Sequence, residues 1–92
     1  MYNDVYHPQV KKDLKKIDPY IRKKIQSTHL PAILSNPSLG QMLAGNFADI
    51  RSYHFTVAKQ QFRIAYMVLG IDIFILMIAK RSNFYTTLKK RT

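Results

Sequence analysis

The chain has 92 residues, and 15 Lys and Arg against 5 acidic residues give it a formal net charge of +10 at neutral pH. Its hydrophobic content of 47% is sufficient for the core of one small domain over residues 1–92, which argues against a disordered chain. The lack of cysteine excludes disulfides and thiolate metal sites and, with no apolar leader after Met1, predicts a cytoplasmic protein.

The charge and the apolar segments limit the classes of partner. A strongly basic small domain is expected to bind nucleic acid, an acidic protein or an anionic membrane. The longest apolar run, residues 64–79, is shorter than the roughly 20 residues that cross a bilayer, and Gly70 and Asp72 interrupt it. We therefore predict two strands there and no membrane partner. All five acidic residues are Asp and are scattered, so chemistry by paired carboxylates is not expected.

The N-terminal part of the chain predicts a strand followed by a helical hairpin. Residues 2–7 are rich in Tyr and Val and end at Pro8, as is typical of a short strand. Asp18 followed by Pro19 indicates a helix N-terminus, so the next segment divides into two helices, the second ending before Ser35. Apolar residues recur at helical spacing through both helices, with lysines between them: Val10, Leu14, Ile17, Ile21 and Ile25.

The rest of the chain predicts a loop and three strands. Residues 39–49 contain two glycines and are expected to form a loop. Strands are predicted at residues 50–58, 61–69 and 73–79, and their short connections allow only an antiparallel meander. Residues 84–91 are expected to form one helical turn or a basic tail. The predicted fold class is α+β: a small antiparallel sheet with an N-terminal strand, a helical hairpin packed on one face and a three-stranded C-terminal meander.

The first hairpin of the meander determines which side chains share a face. A turn at residues 59–60 would place Thr56 opposite Arg63 and His54 opposite Ala65. The alternate positions are bulky and aromatic, so we expect that set to meet the helices. His54 and Arg63 are then predicted to lie together on the other face of the sheet.

Four side chains are expected to converge beyond this hairpin: Arg63, Arg81, His54 and Tyr85. The last strand runs antiparallel to the strand that begins near Arg63, so its C-terminal end returns toward that residue. Two guanidiniums, an imidazole and a phenol without a carboxylate suit a phosphodiester. Taken singly, Arg63, Arg81 and Tyr85 are equally well explained as ordinary surface or packing residues, and His54 is better explained as a surface histidine. The three histidines lack ligand spacing, which predicts no metal site.

A series of short motifs follows in order along the chain. Residues 43–45 (LAG) precede residues 51–55 (RSYHF) and 62–66 (FRIAY), and an apolar strand then leads to Arg81 and Tyr85. Together with the early strand and the lysine-rich helical hairpin, this order resembles the RelE/ParE superfamily of bacterial toxins from toxin–antitoxin systems. The resemblance extends over nearly the whole chain.

The RelE-like branch of that superfamily implies an mRNA endoribonuclease that acts in the ribosomal A site without a metal or cofactor. The resemblance implies that Arg63 stabilises the transition state, that Arg81 is the family's basic residue after the last strand and that His54 transfers a proton. Tyr85 would stack on the nucleotide or help to activate it. Basic side chains are expected to contact RNA, although those on the helix are explained most simply as a solubilising face: Arg51, Lys59, Lys80, Lys11, Lys12, Lys15 and Lys16.

Two departures from the family pattern leave the general base open. The loop before residues 43–45 contains no Glu, and Asn83 and Phe84 occupy the place where some members carry a His before the terminal Tyr.

The ParE-like branch implies a different activity, inhibition of DNA gyrase without RNA cleavage. A third interpretation is a DNA-binding module that uses residues 19–34 as its recognition helix. The resemblance further implies a cognate antitoxin, the ribosome and mRNA as partners.

Overall fold

The computed structural model describes residues 2–92. Five strands form one sheet: β1 Asn3–Tyr6, β2 Gln41–Met42, β3 Arg51–Val57, β4 Gln60–Leu69 and β5 Asp72–Lys80. The α-helices are α1 Val10–Lys15, α2 Pro19–Lys24, α3 Leu30–Ser35 and α4 Phe84–Arg91. A π-helical turn, Ile25–His29, joins α2 to α3, and 3-10 turns occupy Pro37–Leu39, Gly45–Phe47 and Arg81–Asn83.

The strand order is β1-β5-β4-β3-β2. The predicted α+β architecture and the antiparallel meander of β3, β4 and β5 are confirmed. The sheet is mixed and not purely antiparallel, because β1 pairs in parallel with β5 from Asn3 opposite Asp72 to Tyr6 opposite Ile75. The predicted loop also contributes the two-residue strand β2, which pairs with the start of β3.

The β3–β4 turn lies one residue earlier than the sequence predicted. Ala58 and Lys59 form it with positive φ angles of 52° and 64°, the geometry that matches the twist of the two strands. His54 consequently lies opposite Arg63, so the predicted register was wrong by two residues. Because side chains alternate along a strand, a shift of two leaves each on its predicted face.

The helical hairpin packs on one face of the sheet, as predicted. The side chain of Asp18 accepts a hydrogen bond from the Tyr20 backbone N–H at 2.9 Å, which starts α2 and separates it from α1. The π-helical turn precedes Pro31, whose ring would clash with a carbonyl in a regular α-helical turn. Apolar side chains of the helices and the sheet form the main core between them: Val10, Ile21, Ile25, Leu30, Ile33, Phe55, Phe62, Ile64, Tyr66, Ile73, Ile75 and Ile78.

The opposite face of the sheet carries a second core that the sequence did not predict. Residues 84–91 form the helix α4 and not a single turn or a tail, and Phe84 and Leu88 are fully buried. They pack with Ile50, Ala65 and Met77. The predicted position of helices on one face was therefore incomplete. With apolar groups on both faces, β5 is a covered central strand, as its continuous apolar sequence predicted.

A buried ion pair connects α4 to the helical face. The Arg91 guanidinium donates to both oxygens of the Asp13 carboxylate, at 2.5 and 3.0 Å. Asp13 also accepts from the Ile78 N–H, and Arg91 donates to the Leu76 carbonyl. Leu76 is the β5 residue left without a cross-strand partner at an irregularity in the β4–β5 ladder, and Ile78 pairs regularly two residues further on. The pair therefore fixes the C-terminal end of α4 against α1 and the irregular part of β5.

Candidate active site

The candidate site lies where the β3–β4 hairpin meets the end of β5. His54 on β3 is the cross-strand partner of Arg63 on β4. Arg81 follows β5, and its guanidinium donates a hydrogen bond to Gln61 Oε1 at 2.9 Å. The structure thus brings together three of the predicted side chains. They share a cavity of about 420 Å³ lined by His54, Phe55, Thr56, Gln61, Phe62, Arg63 and Arg81.

Two aromatic rings of α4 lie against the Arg63 guanidinium. Its central carbon is 5.3 Å from the ring centre of Phe84 and 5.7 Å from that of Tyr85. The two rings meet edge to face, with centres 5.1 Å apart. Phe84 is buried, whereas Tyr85 is 50% exposed. Cation–π contacts of this kind restrain the arginine and leave part of the Tyr85 ring available at the same surface.

The charges around His54 favour its neutral form. Burial lowers the pKa of His54 below its ordinary value of 6.5, and the positive charges of Arg63 and Arg81 lower it further. A neutral imidazole at physiological pH has a free ring nitrogen that can accept a proton. The site therefore holds a proton acceptor beside two fixed positive charges.

The cavity itself lacks a carboxylate. Within residues 2–92 the single ion pair is Asp13–Arg91, which is outside the cavity lining, so Arg63 and Arg81 keep their charges free for a ligand. Two guanidiniums can bind several oxygens of one phosphate group. The arrangement is suited to binding a phosphodiester and stabilising extra negative charge on it.

The other predicted site residues lie outside the cavity. Lys59 is at the tip of the β3–β4 turn, and Lys80 faces a neighbouring groove. Arg51 donates a hydrogen bond to the Gly40 carbonyl at 2.7 Å, at the far end of β3. The α1 lysines belong to the helical layer, on the opposite face of the sheet, and none lines the cavity: Lys11, Lys12, Lys15 and Lys16.

Two residues that shape the site were not predicted from the sequence. Gln61 binds Arg81 and lines the cavity, but a polar residue at the start of a strand carries no distinctive pattern. Phe84 contacts Arg63 from the buried face of α4. Its apolar spacing with Leu88 was the available signal, because residues four apart share one face of a helix.

The described part of the chain has neither a metal-binding cluster nor a membrane-spanning helix. Residues 2–92 contain no group of three or more His, Cys, Asp or Glu side chains that could hold a metal ion. None of the helices described above is long and apolar enough to cross a membrane.

The family comparison is specific. Residues 5–89 match the family model of the ParE-like toxin of type II bacterial toxin–antitoxin systems. The chain belongs to this toxin family. A search of the curated proteins found no match to the toxin.

Solved structures share the fold of the toxin. It superposes on a chain of the toxin–antitoxin complex RelBE2 from Mycobacterium tuberculosis with a TM-score of 0.76 and 19% identity, covering 87% of the toxin and 98% of that chain. The isolated E. coli RelE toxin gives a TM-score of 0.67 and 20% identity, covering 99% of the present chain and 98% of the RelE chain. YafQ from E. coli gives a TM-score of 0.63 and 14% identity, covering 92% of the present chain and 99% of the YafQ chain. The toxin therefore has the fold of the RelE and YafQ toxins.

Proposed function

We propose that this toxin is a metal-independent endoribonuclease that cuts mRNA on the ribosome and so inhibits translation. The observation that carries the proposal is the cavity shared by Arg63, Arg81 and the neutral His54, with no carboxylate in its lining. Its similarity in fold to RelE and YafQ and its net charge of +10 support the same conclusion. A basic surface favours association with ribosomal and messenger RNA.

In the proposed reaction, the ribose 2′-hydroxyl attacks the adjacent phosphorus. A new bond forms between the 2′-oxygen and phosphorus, and the bond from phosphorus to the 5′-oxygen of the next nucleotide breaks. His54 accepts the proton of the 2′-hydroxyl, and the departing 5′-oxygen takes a proton from solvent. The products are a 2′,3′-cyclic phosphate and a 5′-hydroxyl end.

The remaining site residues have separate roles in this proposal. Arg63 and Arg81 bind the nonbridging phosphate oxygens and stabilise the negative charge that increases in the transition state. Phe84 and Tyr85 restrain the Arg63 guanidinium. The exposed part of the Tyr85 ring is available to stack on a base next to the cut, a contact that single-stranded RNA readily makes.

The proposed regulator is a cognate antitoxin. The similar chain from M. tuberculosis was solved in a toxin–antitoxin complex. A chain of +10 charge is complementary to an acidic or amphipathic segment. Such a segment would inhibit the toxin by covering Arg63 and Arg81.

The proposal is tested in a cell-free translation reaction. Purified toxin should produce discrete cuts in the translated mRNA, mapped by primer extension, and each cut should require ribosomes. Lys23→Gln is a control for loss of one exposed surface charge away from the cavity. Intact mRNA at a toxin concentration that stops translation would contradict the proposal.

A second candidate function is inhibition of DNA gyrase. The matched family model, that of a ParE-like toxin, favours it. This function requires binding to a protein and no bond cleavage in RNA. The same toxin preparation would then reduce supercoiling by purified gyrase while leaving mRNA intact in the translation assay.

A further inference from the structure

A second groove lies beside the site cavity, on the helical side of the sheet. Its volume is about 470 Å³, within the range of small-ligand sites. The buried side chains of Phe62 and Ile78 contribute to its lining. Its polar rim includes Lys16 from the end of α1, Lys80 from the end of β5 and Thr87 from α4.

The second groove is continuous with the site cavity. A shallow bridging surface, lined by Gln60, Gln61, Lys80, Arg81 and Ser82, lies between them. It shares Gln61 and Arg81 with the site cavity, and it shares Gln60 and Lys80 with the second groove. An extended ligand can therefore pass from one to the other around the end of the β4–β5 pair.

The cations along this path are free to bind an anion. Arg81, Lys80 and Lys16 follow one another from the site cavity to the second groove, and none has a carboxylate within ion-pair distance. The two acids in the groove are already engaged. Arg91 and the Ile78 N–H bind Asp13, and the Tyr20 N–H binds Asp18.

The groove also offers hydrogen-bonding groups above an apolar surface. Asn83 is at the N-cap position of α4, yet its side chain makes no capping hydrogen bond. Its amide, with the hydroxyl of Thr87 and the amide of Gln60, is placed to bind donors and acceptors of a ligand. A nucleotide presents this combination of an anionic phosphate, a flat apolar ring and polar ring edges.

We propose that the second groove is an RNA subsite that binds a nucleotide flanking the cut, on the same single strand whose scissile phosphate occupies the site cavity. The inference rests on the proposed ribonuclease function and extends it. The toxin then recognises an RNA segment several nucleotides long, with Lys80 and Lys16 on phosphates beyond the one that reacts.

The first test uses isotope-labelled toxin and short RNAs that cannot be cut because every 2′-hydroxyl is methylated. A hexanucleotide should shift the NMR signals of His54 in the site cavity and of the Asn83 side chain and Thr87 amide in the groove. A trinucleotide should shift His54 alone. Shifts confined to the site cavity with the hexanucleotide would overturn the groove assignment and leave the ribonuclease proposal intact.

Two further outcomes also count against the inference. If neither RNA shifts either region, the groove assignment is wrong, while the proposed ribosome-dependent cleavage is judged separately by the cell-free translation assay. If a hexapeptide of glutamate shifts Asn83 and Thr87 while the hexanucleotide does not, the groove is a protein-binding surface and the inference is overturned.

Charge-matched variants give a second test by fluorescence anisotropy. Lys16→Gln/Lys80→Gln removes two groove lysines, and Lys23→Gln/Lys90→Gln removes the same charge at exposed positions outside the groove. The first pair should lower the log–log salt slope for the hexanucleotide by about 1.4, because a phosphate contact on a single strand contributes about 0.7. The second pair should leave that slope nearly unchanged. Equal slopes for the two double variants would overturn the inference.

Discussion

His54 and Arg63 are cross-strand partners in the β3–β4 ladder, on the side of the sheet that α4 covers. The pairing links the acid–base property of the histidine to the charge of the arginine. Burial is the main cause of the low pKa of His54, and the Arg63 and Arg81 guanidiniums lower it further. Arg63 thus adds positive charge to the cavity and also helps to keep His54 neutral.

The first prediction concerns this linkage. Arg63→Ala should raise the pKa of His54 toward its ordinary value of 6.5, because it removes a nearby positive charge and opens the site to water. An NMR titration of the His54 ring measures the change. His29 is the internal control, since burial and Lys24 lower its pKa and Arg63 does not contribute. An unchanged or lower pKa for His54 would contradict the assigned cause.

The second prediction concerns stability against pH. The pKa values of His29 and His54 are both below 6.5 in the folded chain, so the unfolded chain binds more protons as pH falls through that range. The free energy of unfolding should therefore decrease between about pH 7.5 and about pH 5. Urea denaturation at both pH values measures this free energy of unfolding. In His29→Gln/His54→Gln the decrease should be smaller, and an equally large decrease would show that other groups cause it.

The third prediction concerns the Asp13–Arg91 ion pair. Both side chains are about one-tenth exposed, so Arg91→Met leaves a nearly buried carboxylate without its cation. We expect the free energy of unfolding to fall by about 3 kcal/mol, measured by urea denaturation. Asp13→Asn/Arg91→Met should recover part of the loss, because the Asn oxygen can still accept from the Ile78 N–H.

The exposed neighbour Lys90 provides the control for this pair. Lys90→Met removes one positive charge from the same helix and should change the free energy of unfolding by less than about 0.5 kcal/mol. If Arg91→Met lowers the free energy of unfolding by as little as Lys90→Met does, the ion pair does not fix α4 to the rest of the protein.

Local sequence signals predicted the elements of the fold better than their pairing. Asp18 and Pro19 gave the division of the helical hairpin, because capping depends on neighbouring residues alone. The parallel pairing of β1 with β5 has no local signal, since it joins segments about seventy residues apart. The β3–β4 turn uses Ala58 and Lys59 instead of the Asn-Gly or Asp-Gly pairs that mark such turns in a sequence.

The candidate site was predictable in part for a geometric reason. His54 and Arg63 remained on one face despite the register error, because a shift of two residues preserves the alternation of side chains. The contact between Phe84 and Arg63 was not predictable, because it depends on α4 packing against the second face of the sheet. The Asp13–Arg91 pair, 78 residues apart in sequence, likewise depends on the complete fold.

The most direct test of the proposed function is the single-turnover rate at which the Arg63→Ala variant, bound to ribosomes, cuts mRNA, measured beside its thermal unfolding midpoint. Loss of a charge-stabilising guanidinium should reduce the rate by about 10²–10³-fold, equivalent to about 3–4 kcal/mol. Arg63→Lys should restore only part of the rate, since an ammonium lacks the planar pair of donors. We expect this loss of rate in a variant that remains folded. A normal rate, or inactivity caused by unfolding, would contradict the assignment of Arg63 to the reaction.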